Sequence, residues 1–202
     1  MKILALHGSP RKSGNSELLL DAFIQGVKET LSELEKISLN DLSFSPCIAC
    51  GECEHLGECI LRDHMTDLYP KILKADLIVL STPIFFYSHP SYVQAFFERF
   101  QALWACKYKL NLPHPFQKNP KGILLALGAT SGKKLFEALV RSFKFVMDAC
   151  WGKYVGGLFF RGIDKKGEIL EHKELLEKAK VLGKEVAIKS EEEWSLDRSS
   201  TP

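Results

Sequence analysis

Four cysteines, Cys47, Cys50, Cys53 and Cys59, lie within thirteen residues of the stretch "PCIACGECEHLGEC". Such a compact set could bind an iron–sulfur cluster, bind zinc, work as a C-x-x-C redox pair, or sit as inert thiols. The first three match the C-x2-C-x2-C opening of ferredoxin cluster motifs. A longer spacer containing Gly57 precedes Cys59, so the loop could fold back and present all four thiolates to one [4Fe–4S] cube. A structural zinc more often draws on two separated ligand pairs. Spacing alone leaves these options open. Cys106 and Cys150 fall in helical patterns and read as small core hydrophobes.

A second set of residues suits an anion. The turn "HGSPRKSGNSE", residues 7 to 17, carries Ser9, Ser13, Asn15 and Ser16 beside the cations Arg11 and Lys12 and opens directly into a helix. Free N–H groups at a helix N-terminus, with hydroxyls around them, suit a phosphate. The turn is neither G-x-x-x-x-G-K-[ST] nor G-x-G-x-x-G. Side-chain hydroxyls fit a terminal phosphomonoester; the alternative is an ordinary Ser/Asn helix cap. A third set is aromatic: "STPIFFYSHPSY", residues 81 to 92, crowds Phe85, Phe86, Tyr87 and Tyr92 into one connection. These rings could line a slot for a planar ring system, or belong to the core or a subunit interface.

The elements that must position these sets alternate in type. Short apolar runs at 2–7, 34–39, 76–83, 121–130 and 154–162 read as strands. Helical spacing marks 15–31, 65–75, 91–104, 133–150 and 171–190, with Asn15 or Ser13 as the first cap and Leu31 on the first helix's apolar stripe. Pro70 should shorten the second helix or enter its first turn. Alternation of this kind means right-handed βαβ units and a parallel sheet covered on both faces. Ligands then bind beyond the carboxyl ends of the strands, so the loops after strands one, three and four are the places to look, the last being "LGATSGKK", 127–134.

The 202 residues fit one domain over 1–190, with 191–202 as a tail in which Trp194 alone could dock. A net charge of +2, from 27 basic and 25 acidic residues, gives no basic field for a nucleic-acid partner. The most apolar runs are too short for a membrane span and are broken by Pro83. "KILALHG" at the start has no longer apolar core or small-residue cleavage site, which reads as a cytoplasmic protein.

Taken in order, "GSPRKSGNSE", "PCIACGECEHLGECILRDHM" and "ADLIVLSTPIFFYSHPSYVQAFFERF" resemble the NADPH-dependent FMN reductase group, and most closely its iron–sulfur flavoprotein branch, over roughly residues 2 to 160. The resemblance implies a flavodoxin-like three-layer α/β sandwich, a five-stranded parallel sheet in the order 2-1-3-4-5 with helices on both faces, and FMN at the carboxyl edge. It implies that Ser9, Arg11, Ser13, Asn15 and Ser16 hold the FMN phosphate. Pro83, Ile84, Phe85 and Phe86 would border the isoalloxazine, with Gly128, Thr130 and Ser131 adding contacts.

The chain departs from the family pattern in places. Phe85 stands where tyrosine is common, Tyr87 where glycine is, and Gln94 and Glu98-Arg99 where a lysine and Asp-Arg are usual. His89, also unusual, reads as a surface or interface residue.

The resemblance further implies an FMN-dependent oxidoreductase driven by NAD(P)H, reducing a small-molecule acceptor such as free flavin or a quinone. No acid–base dyad is needed, so no catalytic residue is nominated. Two alternatives stand beside it: an electron-transfer protein in which a [4Fe–4S] cluster on the four cysteines takes electrons from a ferredoxin-like donor, and a zinc or thiol redox sensor. The family also implies a homodimer or homotetramer.

Overall fold

A computed structural model of the protein describes residues 1–188; the tail expected at 191–202, with Trp194, lies outside them. The five strands are β1 (Lys2–His7), β2 (Glu33–Ser38), β3 (Leu77–Pro83), β4 (Lys121–Gly128) and β5 (Lys153–Arg161). They pair in parallel in the order β2-β1-β3-β4-β5, as the resemblance implied. Seven helices connect them among the described residues: α1 (Asn15–Lys28), α2 (Cys53–Leu56), α3 (His64–Lys74), α4 (Ser91–Glu98), α5 (Gln101–Tyr108), α6 (Glu137–Ala149) and α7 (Lys173–Ile188).

β1, β3 and β4 are apolar on both faces because both faces are covered. Leu4, Leu6, Ile78, Leu80, Leu124 and Ala126 point to one core with α3, α4 and α6. Ile3, Ala5, Leu77, Val79, Ile123 and Leu125, one residue out of phase, point to a second core with α1 and α7. Each fully buried Leu, Ile or Phe contributes about 1.5–3 kcal/mol relative to exposure. β2, "ELEKIS", is mostly polar and lies at the sheet's edge, where charged side chains discourage pairing with another chain.

The structure corrects four details. The helix expected over 91–104 is two, α4 and α5. At the break Phe100 N–H bonds back only three residues, to Phe97 O, and Arg99 O accepts the Tyr69 hydroxyl at 2.7 Å. α1 is capped by Gly14, and Leu31 is fully exposed: Thr30 turns the chain by bonding Val27 O through both N–H and Oγ1. Pro70 sits mid-helix, because α3 starts earlier, where Asp63 Oδ1 caps it by accepting Met65 N–H at 3.0 Å. His89 is buried rather than on the surface, its ring edge-on to Phe97 with centroids 4.8 Å apart.

Candidate functional site

The loops that leave β1, β3, β4 and β5 meet at the carboxyl edge. Gly8 lets the first approach α4 closely, since a Cβ there would lie 2.5 Å from Val93 Cγ2. Gly14 brings no capping side chain, and the N–H groups of Asn15, Ser16 and Glu17 at the start of α1 find no acceptor among the described residues. Ser81 Oγ donates to Ser16 O at 2.7 Å and fixes this helix end on β3. Three free N–H groups, a helix dipole and the cations Arg11 and Lys166, set against the one carboxylate of the lining, Asp164, suit the site to a phosphate.

One cleft of about 90 Å³ gathers Ser9, Arg11, Asn15, Ser16, Pro83, Ile84, Phe85 and Gly128. Four other residues of the sequence reading stand outside its lining. Ser13, at φ 53°, gives its N–H to Glu17 Oε2 at 2.6 Å, while Phe86, Thr130 and Ser131 are exposed. Asn15 lines the cleft, but its amide holds a neighbouring loop: Nδ2 donates to Lys165 O at 2.8 Å and Oδ1 accepts from Ile169 N–H at 3.3 Å. That loop, after β5, supplies Ile163, Asp164 and Lys166, which sequence reasoning missed. The signal was present, since a parallel sheet sends every strand's carboxyl end to one edge.

The volume admits a phosphate or about three waters at roughly 30 Å³ each, not an enclosed flavin ring. The aromatic connection stands at its border. Phe85 and Ser88 exchange backbone hydrogen bonds at 3.0 and 2.9 Å around a two-residue turn. Phe86 and Tyr87 hold φ of 50° and 59° there, a left-handed pair that costs bulky residues of order 1–3 kcal/mol each. Tyr87 leans on the loop after β4, where a Cβ at Gly132 would meet its Oη at 2.0 Å.

The cysteine loop leaves β2 and returns to α3. Ser43 N–H donates to His64 Nδ1 at 2.6 Å, and Ser45 N–H to Asp63 Oδ2 at 3.4 Å. Left-handed Ala49, Gly51 and Gly57 fold the intervening chain back on itself. Cys47, Cys50, Cys53 and Cys59 then line one cavity of about 390 Å³, floored by Arg99, Gln101 and Ala102. All four are free thiols. Burial raises the Cys53 thiol above its usual range, and the neighbouring cysteine sulfurs raise it further.

Four thiols around one cavity suit a group large enough to touch all of them. Among the described residues, however, no three His, Cys, Asp or Glu side chains come together closely enough to hold a metal ion. The four thiols stand apart around the cavity: Cys50 is exposed, while Cys53 packs on Ala102 and Ala105. A single zinc ion therefore finds no closed tetrahedral set there. Cys106 and Cys150 are buried, as read, and burial pushes Cys150 up to about 12. Phe44, at the loop's base, meets Tyr92 edge-on at 6.5 Å and joins the loop to the aromatic connection.

The sheet order and the phosphate-suited turn define a flavodoxin-like protein. More particularly, the chain belongs to the NADPH-dependent FMN reductase family, whose model matches residues 1–152. It is 31% identical over 130 residues to an iron-sulfur flavoprotein of Methanosarcina thermophila, covering 64% of each chain. It is 37% identical over 86 residues to iron-sulfur flavoprotein MJ1083 of Methanocaldococcus jannaschii, covering 43% of this chain and 45% of that one. The chain thus spans about half to two thirds of the length of these relatives. Among solved structures, an NAD(P)H:quinone oxidoreductase from Methanothermobacter marburgensis superposes with TM-score 0.70 at 18% identity, covering 94% of this chain and 98% of that one. A flavone reductase superposes with TM-score 0.68 at 20% identity, covering 93% and 62%. At such identities these likenesses show the fold alone.

Proposed function

We propose that this chain is a cytoplasmic FMN-dependent oxidoreductase, a single flavin-binding unit over residues 1–190, that uses NAD(P)H to reduce a small acceptor of the flavin or quinone type. The observation that carries the reading is the cleft where Ser9, Arg11 and the uncapped start of α1 face Pro83, Ile84, Phe85 and Gly128. When bound, FMN supplies the hydride and single-electron chemistry. The chain's residues bind and orient it. Ser9 Oγ, Arg11 and the N–H groups of Asn15, Ser16 and Glu17 hold the phosphate, and Pro83 to Phe86 border the ring, with Gly128, Thr130 and Ser131 beside it. The exposed ring border is completed by a second copy in a homodimer or homotetramer. No side chain of the site is assigned a proton-transfer role.

Reduction of the FMN-loaded protein by NADPH or NADH without oxygen, followed as loss of flavin absorbance, tests the reading. Bleaching by either nucleotide, reversed by a quinone, is expected; no response to either overturns it.

A second reading is supported by the four cysteines lining one cavity and by the name iron-sulfur flavoprotein borne by the relatives. On this reading Cys47, Cys50, Cys53 and Cys59 would hold a [4Fe–4S] cluster, which would supply single-electron transfer from a ferredoxin-like donor. FMN reduced by a ferredoxin but by neither nucleotide distinguishes it.

A further inference from the structure

Arg99 is the largest fully buried side chain among the described residues, 1% exposed, and it lies beneath the cysteine loop. Its Nη1 donates to Ser45 O at 2.9 Å and to Asp63 Oδ2 at 2.6 Å. Its Nη2 donates to Asp63 Oδ1 at 3.2 Å and to Leu61 O at 3.5 Å. One guanidinium therefore clasps both ends of the loop, a task that its planar fork performs and a lysine cannot.

Two features go beyond what a clasp needs. Nε–H is buried and has no acceptor among the described residues, a desolvated donor left open. Arg99 also lines the cavity that the four cysteines line, and the other charged residues of that lining, Glu54 and Glu98, are acidic. Four thiolates around an iron–sulfur core leave the assembly negative, and each electron gained makes it more so. Hydrogen bonds to the sulfurs and local net charge are the levers by which a protein sets such a centre's reduction potential.

We infer that Arg99 is the positioning and potential-setting residue of the cysteine-loop site: its cation and free Nε–H stabilise the reduced state of a cluster held there. The inference rests on the cluster reading given above. The guanidinium and Asp63 partly cancel each other's field at the cavity, which makes their separate removal informative.

The test is potentiometric, on anaerobically reconstituted full-length protein with iron and acid-labile sulfide measured first. Asp63→Asn keeps Arg99 and the cap on Met65 N–H but removes the neighbouring anion; its midpoint lies at or above wild type. The double variant R99M/D63N removes cation and anion together, leaving no unpaired buried charge. Its midpoint lies below that of D63N by at least tenfold in the one-electron equilibrium, about 59 mV. Arg99→Lys keeps the charge and loses the fork and Nε–H; it also falls below wild type, and it decides the matter should the double variant not fold. An iron-replete R99M/D63N whose midpoint coincides with that of D63N, or an iron-replete R99K whose midpoint coincides with wild type, overturns the assignment alone. A wild type that holds no iron overturns the cluster reading and the assignment with it.

Discussion

At the scale of single residues, His89 combines burial with two ring nitrogens that find no partner among the described residues, and burial pushes its pKa down to about 4. The unfolded chain, near 6.5, binds a proton that the folded chain refuses. Stability is therefore full above about pH 6.5 and is lost as pH falls towards 4, by about 3 kcal/mol at most. His7 and His114 are lowered in the same direction, so the comparison must isolate one ring. Urea unfolding of His89→Leu should show a shallower loss than wild type over that window; parallel curves would contradict this. Asn15 offers a second prediction. Asn15→Ala removes bonds to Lys165 O and Ile169 N–H, and should lower stability by about 1–3 kcal/mol while exposing the 163–169 loop to proteolysis. Neither role was legible in sequence. His89 sits in a loop with no periodicity, and the ring it packs against, Phe97, lies eight residues on in α4. Asn15 matches a phosphate motif by type, whereas its amide direction is set by a loop 150 residues away.

At the scale of elements, α1 and α7 pack through two glycines. A Cβ at Gly26 would lie 1.9 Å from Lys180 O, and one at Gly183 2.0 Å from Phe23 O. Backbone oxygens cannot rotate away, so overpacking, about 1–3 kcal/mol, outweighs the roughly 1 kcal/mol that alanine gains over glycine in a helix. Gly26→Ala should therefore lower the urea midpoint; a raised midpoint would show the helices part freely. All five strands could be read to within one or two residues; β1, β3 and β4 stand out because a doubly covered parallel strand is a short, nearly unbroken apolar run, a pattern that the polar edge strand β2 lacks. The α4–α5 break could not. The apolar spacing of 91–104 runs across it without proline or glycine, and the Tyr69 hydroxyl that holds Arg99 O comes from another helix.

At the scale of the whole molecule, the sheet brings four loops to one edge and leaves the cysteine loop beside them, joined through Phe44 and Tyr92. The order of the three motifs was legible because flavodoxin-like topology fixes which loops share an edge. The contribution of the β5 loop, the small size of the cleft and the open arrangement of the four thiols were not, since each depends on how distant loops settle against one another. On the proposed reading the carboxyl-edge cleft binds FMN. The most direct test is to purify the full chain without oxygen, add FMN, and measure flavin, iron and sulfide per chain after gel filtration. About one FMN is predicted, weakened tenfold or more in affinity by Arg11→Ala through the lost charge-assisted contacts to phosphate; on the cluster reading about four irons accompany it. A chain that emerges colourless and retains no FMN would contradict the account.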